Sequence, residues 1–171
     1  GIEANSWGDG GLHITTGGST TGVNDEGIQA FVAASGTYLT VGTNAVTSGG
    51  TDGIYANNDG SGALTITTNG RTYGNGGSGI YANNSTNGTG LSITTTNDTT
   101  GTVSGIEGYN AGSGNLYINA GGITTGNGVN DYGISASNSP NGVDLVIVAD
   151  TVIGGYQGIR AGNGGKGQLS I

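Results

Sequence analysis

Short apolar pairs alternate along the chain with stretches rich in glycine, asparagine and threonine, and the pairs recur at a fixed distance. Gly-Ile dipeptides start at Gly1, Gly27, Gly53, Gly79, Gly105, Gly133 and Gly158, with spacings of 26, 26, 26, 26, 28 and 25 residues. Two residues after each Ile stands a small residue: Ala4, Ala30, Ala56, Ala82, Gly108, Ala136 and Ala161. Later in each repeat comes an apolar-x-apolar triplet: Leu12/Ile14, Leu39/Val41, Leu64/Ile66, Leu91/Ile93, Leu116/Ile118, Leu145/Ile147 and Leu169/Ile171. Alternation with period two predicts strands with one buried face. A weaker third strand is expected around a threonine column, with Val46, Ile123 and Val152 just before it. No apolar pattern of period 3.6 runs far, and Gly, Asn, Thr and Asp are poor helix formers.

Three short strands per repeat, joined by Gly/Asn turns, predict an all-β, single-domain parallel β-helix. Residues 1–171 form one solenoid of six to seven rungs of about 26 residues, starting at 1, 27, 53, 79, 105, 133 and 158. One rung has too few apolar side chains to fold alone, but stacked neighbours bury one another. The Ile column and the two columns of the Leu-x-Ile triplet should each form an internal ladder.

Ten residues after each of the first six Leu stands Gly22, Gly49, Gly74, Gly101, Gly126 or Gly155. Eight residues after it stands Thr20, Thr47, Thr72, Thr99, Thr124 or Ile153. Length variation is therefore expected in only two places, between Ala and Leu and between this Gly and the next Gly-Ile. Glycine at the corners should supply positive φ. Asn58, Asn84, Asn110, Asn138 and Asn163 share one repeat position. Their amides can bond to the same amide one rung above, which predicts a buried ladder. Rung two departs from this pattern. Phe31 and Val32 stand where other rungs carry Asn or Ser, which predicts an apolar bump or bulge and makes both candidate surface contacts.

Composition narrows the picture. Gly accounts for 40 of 171 residues without a three-residue period and with one Pro, Pro140, which excludes collagen. The strict repeat excludes disorder. With no Cys there is neither a disulfide framework nor a thiolate metal site. The net charge is −8, and only Arg71, Arg160 and Lys166 are cationic. That argues against nucleic acid and against an anionic membrane surface. No run of about 18 apolar residues is present to insert in a bilayer. Because Gly1-Ile2 already lies within a repeat, a fragment or processed chain is expected.

Candidate chemistry is sparse. His13, the one histidine, lies between Leu12 and Ile14 and should point outward, with no serine marked as a triad partner. Asp25/Glu26, Asp52 and Asp131 fall near the same inter-rung loop. Such a column can bind Ca²⁺ weakly, but no dedicated calcium loop is present and solvated carboxylates are expected. Asp52 and Asp59, with Arg71, come nearest to a glycan-cleaving set, yet no spacing selects them. We therefore expect no catalytic residues, metal or cofactor. Tyr55 and Tyr81 occupy one outward column in adjacent rungs and should stack about 5 Å apart. Such a pair can bind a sugar ring or protein, but packing between rungs is the favoured reading. Thr65/Thr67 and Ser92/Thr94 form a short outward array of the kind some ice-binding solenoids carry. It gives way to His13/Thr15, Thr40/Gly42, Tyr117/Asn119 and Val146/Val148, too irregular for a lattice-matching face.

The phrases Gly53-Ile-Tyr-Ala-Asn-Asn-Asp-Gly-Ser-Gly-Ala-Leu-Thr-Ile-Thr-Thr and Gly79-Ile-Tyr-Ala-Asn-Asn resemble the degenerate repeats of bacterial autotransporter passenger domains, over the whole chain. The resemblance implies a right-handed coil, type V secretion and display at the outer membrane, with a C-terminal barrel that this segment lacks. The function expected is a non-catalytic, extracellular structural or adhesive stalk of a bacterial cell-surface protein, contacting a protein or glycan on a host or neighbouring cell. The alternative is a filament subunit whose partners are copies of itself, joined through open strand edges. A glycan-active enzyme or an ice-binding protein ranks below both.

Overall fold

A computed structural model describes all residues 1–171. The chain is an all-β parallel solenoid of about six turns. Each turn opens on an Ile strand: Ile2–Ser6, Ile28–Val32, Ile54–Asn58, Ile80–Asn84, Ile106–Asn110, Tyr132–Asn138 and Gln157–Asn163. These pair in parallel, in order, as a seven-stranded sheet. Leu strands follow at Leu12–Thr16, Leu39–Thr43, Leu64–Thr68 and Leu91–Thr95, and Thr strands at Thr20–Gly22, Thr47–Gly49, Thr72–Gly74 and Thr99–Gly101. In rungs five and six the Leu and Thr strands fuse, as Leu116–Gly126 and Leu145–Gly154, and Leu169–Ser170 is the last Leu strand. The fusion joins the Leu and Thr ladders into one eleven-stranded sheet.

The register is the one the repeat predicts. Ile54 faces Ile80 and Ile28, and Leu91 faces Leu64 and Leu116. Twenty-two buried apolar residues form a single core cluster along the axis, with Ile28, Ile54, Ile80, Ile106 and Ile134 wholly inaccessible. Each buried Ile or Leu contributes about 1.5–3 kcal/mol relative to exposure, and parallel register repeats that gain at every rung. Turn residues keep the register too: the N–H of Asp59, Ser85, Ala111 and Ser139 each donates to a carbonyl of the preceding rung.

The asparagine ladder forms as expected. Asn58 Nδ2 donates to Asn84 Oδ1, Asn84 to Asn110 and Asn110 to Asn138, each at 2.9 Å, and Asn138 donates to Asn163 at 3.1 Å. The second proton of each amide goes to a carbonyl of the following turn, on Gly62, Gly90, Gly114 and Asp144. Three of the Oδ1 atoms also accept turn N–H groups, from Gly60, Gly112 and Gly165. The ladder thus adds a second bond to corner carbonyls that already accept a backbone N–H from an adjoining rung, those of Thr89, Leu64, Val143 and Leu116 in turn.

Three expectations need correction. Val32 makes neither a bump nor a bulge: its strand pairs in unbroken register on both sides, and Val32 is fully buried in the column that Asn58 continues. It is core and offers no surface contact. Second, the corner glycines do not share positive φ; Gly122, at φ +82°, is the one residue that has it. Gly22, Gly49, Gly74, Gly101, Gly126 and Gly154 serve close approach instead, because a Cβ on any of them would land on a carbonyl of the adjoining loop. Third, the Leu-to-Gly segment is not invariant. Between rungs five and six the register shifts after Ala120, and Thr124 pairs with Val152, and Gly126 with Gly154. Rung six therefore spans its corner with one residue fewer. Val152 and Gly154 occupy the columns assigned above to Ile153 and Gly155, and Ile153 points out.

Gly122 absorbs that mismatch. A Cβ there would sit 2.8 Å from the Asn97 carbonyl carbon, and its φ is costly for a branched side chain. Asp98 Oδ1 accepts the neighbouring Ile123 N–H at 3.0 Å, and Asp98 Oδ2 pairs with Arg71 Nε at 3.4 Å. Gly122→Val should lower stability by about 1–3 kcal/mol. Urea denaturation followed by circular dichroism measures this, and an unchanged midpoint would show that the bulge relaxes freely.

Candidate interaction face

The outward side of the Ile sheet carries a row of aromatic side chains. Because strand side chains alternate, the third and fifth repeat positions form two outward columns. The third reads Glu3, Gln29, Tyr55, Tyr81, Glu107, Ser135, Arg160, and the fifth reads Asn5, Phe31, Asn57, Asn83, Tyr109, Ser137, Gly162. Tyr55 and Tyr81 stack with ring centroids 5.0 Å apart and planes within 4°. Tyr109 joins them diagonally, 5.8 Å from Tyr81 at 56°. Alignment on the third column alone does not find Tyr109, because it stands at the fifth position one rung on. The diagonal spacing is within aromatic reach, and that was the available signal.

The stacking covers one face of each ring of Tyr55 and Tyr81. A sugar needs a free ring face, and here the two rings cover one face of each other. That is the geometry of packing between rungs. Phe31 is half-buried and leans on Trp7, centroids 5.0 Å apart, while Trp7 is 70% exposed. Trp7 was not singled out above, and it makes this corner the most exposed aromatic site of the molecule.

Acidic side chains border the tyrosines without converging on a reaction centre. Glu107 accepts from Ser78 Oγ and from Tyr109 Oη, each at 3.1 Å. Asp52 accepts the Ser78 N–H at 2.5 Å. Burial pushes the Asp52 carboxyl above its ordinary value, and the nearby charge of Glu107 adds to this, against the pull of the Ser78 N–H. Burial likewise raises the phenols of Tyr81 and Tyr109, so both hydroxyls stay protonated donors near neutral pH. Asp59 accepts from Asn57. Arg71 lies at another corner, paired with Asp98, so the Asp52/Asp59/Arg71 set is not assembled. His13 is exposed and shares a hydrogen bond with Thr15. No three His, Cys, Asp or Glu side chains converge as metal ligands.

A raised carboxyl makes folding weaker as the pH rises through the acid range, because the folded state holds the proton longer than the unfolded chain. Asp52→Asn keeps an oxygen for the Ser78 N–H and removes the half-buried charge. It should raise the urea midpoint at pH 7, and the gain should shrink towards pH 4. A variant less stable than wild type at pH 7 would contradict the sign of the shift.

In comparisons with known proteins the chain matches no family model, no curated protein and no solved structure. The solenoid is therefore established by its own register, and nothing in those comparisons ties it to autotransporters.

Proposed function

We propose that this chain is a non-catalytic structural and adhesive rod segment of a bacterial cell-surface protein, working outside the cell. The observation that carries the reading is the unbroken parallel register from the strand at Ile2 to the strand at Gln157. Rungs stacked about 4.8 Å apart form a rod roughly 30 Å long. Its length is set by rung count, which suits a spacer between an anchor and a tip. The Gly/Asn/Thr-rich exterior and the lack of Cys suit a stalk whose folding needs no oxidant or metal. The resemblance of its repeats to autotransporter passengers supports export by that route. Its partners are then a protein or glycan on an opposing cell.

Small-angle scattering tests the spacer. Deleting residues 53–104 removes two rungs and should shorten the rod by about 10 Å at constant cross-section. Scattering from a globule or a flexible coil would refute the reading. Long uniform fibres at raised concentration would favour copies joined end to end. Reducing sugar released from a polysaccharide panel would overturn the non-catalytic assignment.

A further inference from the structure

The outer face of the Ile sheet has one notch, and it lies where the two outward columns step down in size. At the fifth position Tyr109 is followed by Ser137 and then Gly162, and at the third position Ser135 lies between Glu107 and Arg160. The hollow over rung six encloses about 230 Å³, lined by Tyr109, Ser135, Ser137, Arg160 and the backbone of Ala136, Ala161 and Gly162. Rungs five and seven wall it on both sides.

Its chemistry is unlike that of the rest of the surface. Arg160 is one of three cations in a chain of net charge −8. It has no carboxylate partner, since the one ion pair of the molecule joins Arg71 to Asp98. Its guanidinium carbon lies 5.3 Å from the centroid of the Tyr132 ring, and Tyr156 packs edge-on to that ring at 6.1 Å. The cation is thus seated on an aromatic platform that leaves its fork of donors available for a planar anion. Across the notch stands Tyr109, at the end of the tyrosine row, with its hydroxyl turned to Glu107. Both oxygens of Glu107 are engaged, by Ser78 and Tyr109, so its negative charge lies at the Tyr109 side and an anionic group on a ligand belongs at the Arg160 side. Ser137, exposed in the same hollow, adds a hydroxyl that can donate or accept, while Ser135 is 6% exposed and forms part of the floor.

We infer that this notch binds one carboxylate-bearing sugar residue, a hexuronate, within an acidic polysaccharide. The guanidinium of Arg160 takes the carboxylate, the Ser137 hydroxyl takes a ring hydroxyl, and the Tyr109 ring covers the apolar side of the sugar. The volume, below that of sites for drug-sized ligands, admits one ring. This deepens the adhesive half of the proposed function and rests on it.

The test is isothermal titration of the full chain with a glucuronate-containing oligosaccharide, its neutral glucose counterpart, and acetate. Only the glucuronate oligomer should saturate. Arg160→Gln and the notch-filling Ser137→Tyr should each weaken it at least tenfold, while Tyr55→Ala, three rungs away, should leave it unchanged. Thermal unfolding at the wild-type midpoint would show that the variants fold. Equal binding of the neutral oligomer, or full binding by Arg160→Gln, would overturn the inference. Saturation by acetate alone would reduce the site to a carboxylate site without sugar selectivity and would overturn it too. No binding at all by a rod that scattering shows intact would remove the ligand and leave the spacer reading standing.

Discussion

Replacing Asn110 by Asp should cost about 3–5 kcal/mol at pH 7, a large share of the stability of an ordinary domain. The two side chains have the same shape, so no cavity confuses the comparison. Asn110 makes four hydrogen bonds: it accepts from Asn84 and from the Gly112 N–H, and donates to Gly114 O and Asn138 Oδ1. It is 1% exposed. Aspartate retains the two acceptor bonds and turns both donors into an oxygen facing two oxygens. Burial and those oxygens would hold its folded pKa above the unfolded value of about 3.9. The penalty is therefore small well below that value, where both states are protonated, and grows as the pH rises. Urea denaturation at pH 4 and pH 7 should show the variant recovering stability in acid relative to wild type. A uniform, pH-independent loss below 1 kcal/mol would mean that the ladder carries little of the fold.

Threonine-to-valine changes inside the coil should act in the opposite direction. Two threonine columns line the interior, one closing the Leu strands (Thr16, Thr43, Thr68, Thr95) and one opening the Thr strands (Thr20, Thr47, Thr72, Thr99, Thr124). Eight buried hydroxyls have no hydrogen-bond partner, among them those of Thr68, Thr72 and Thr99, whose residues are wholly inaccessible. A buried hydroxyl without a partner costs about 1–3 kcal/mol. Valine keeps the methyl and the branched shape that suits a strand, and rung six already carries Val152 in this column. Thr68→Val, Thr72→Val and Thr99→Val should each add about 1 kcal/mol, and the triple about 3, less any coupling between Thr72 and Thr99, which are direct neighbours. The check is a higher urea midpoint at unchanged m. Loss of stability in the triple would show that the hydroxyls are bonded, through ordered water between the columns.

Both predictions depend on how much the repeat reveals. Rung boundaries, strand identity and the Ile and Leu ladders were legible, because period-two alternation and a fixed repeat distance each follow from parallel stacking. The Asn ladder was legible for the same reason: one polar residue type at one repeat position in a narrow coil has itself as its nearest partner. Val32 was misread because the fifth and sixth positions straddle the sheet, one facing out and the other in, and an apolar pair gives no sign of which is which. The rung-six register was misread because counting ten residues from Leu145 cannot register a corner one residue shorter. Only the pairing across Gly122 reveals it. The interaction face was the least legible part. Tyr55 and Tyr81 stood out as a column, but Tyr109, Trp7 and the Arg160 notch arise from diagonal and size relations between columns, which alignment on single positions does not display.

The asparagine ladder also gives the rod an electrical direction. Backbone hydrogen bonds between parallel strands run both ways along the axis, since Ile28 N–H donates to the next rung and Asp59 N–H to the previous one, so their dipoles largely offset each other. The side-chain amides do not alternate. From Asn58 to Asn138 every Nδ2 points to the following rung, so four amide dipoles add head to tail and polarise one another. The series begins above Val32, whose apolar side chain offers it no donor. The two directions along the solenoid are thus inequivalent in potential as well as in sequence.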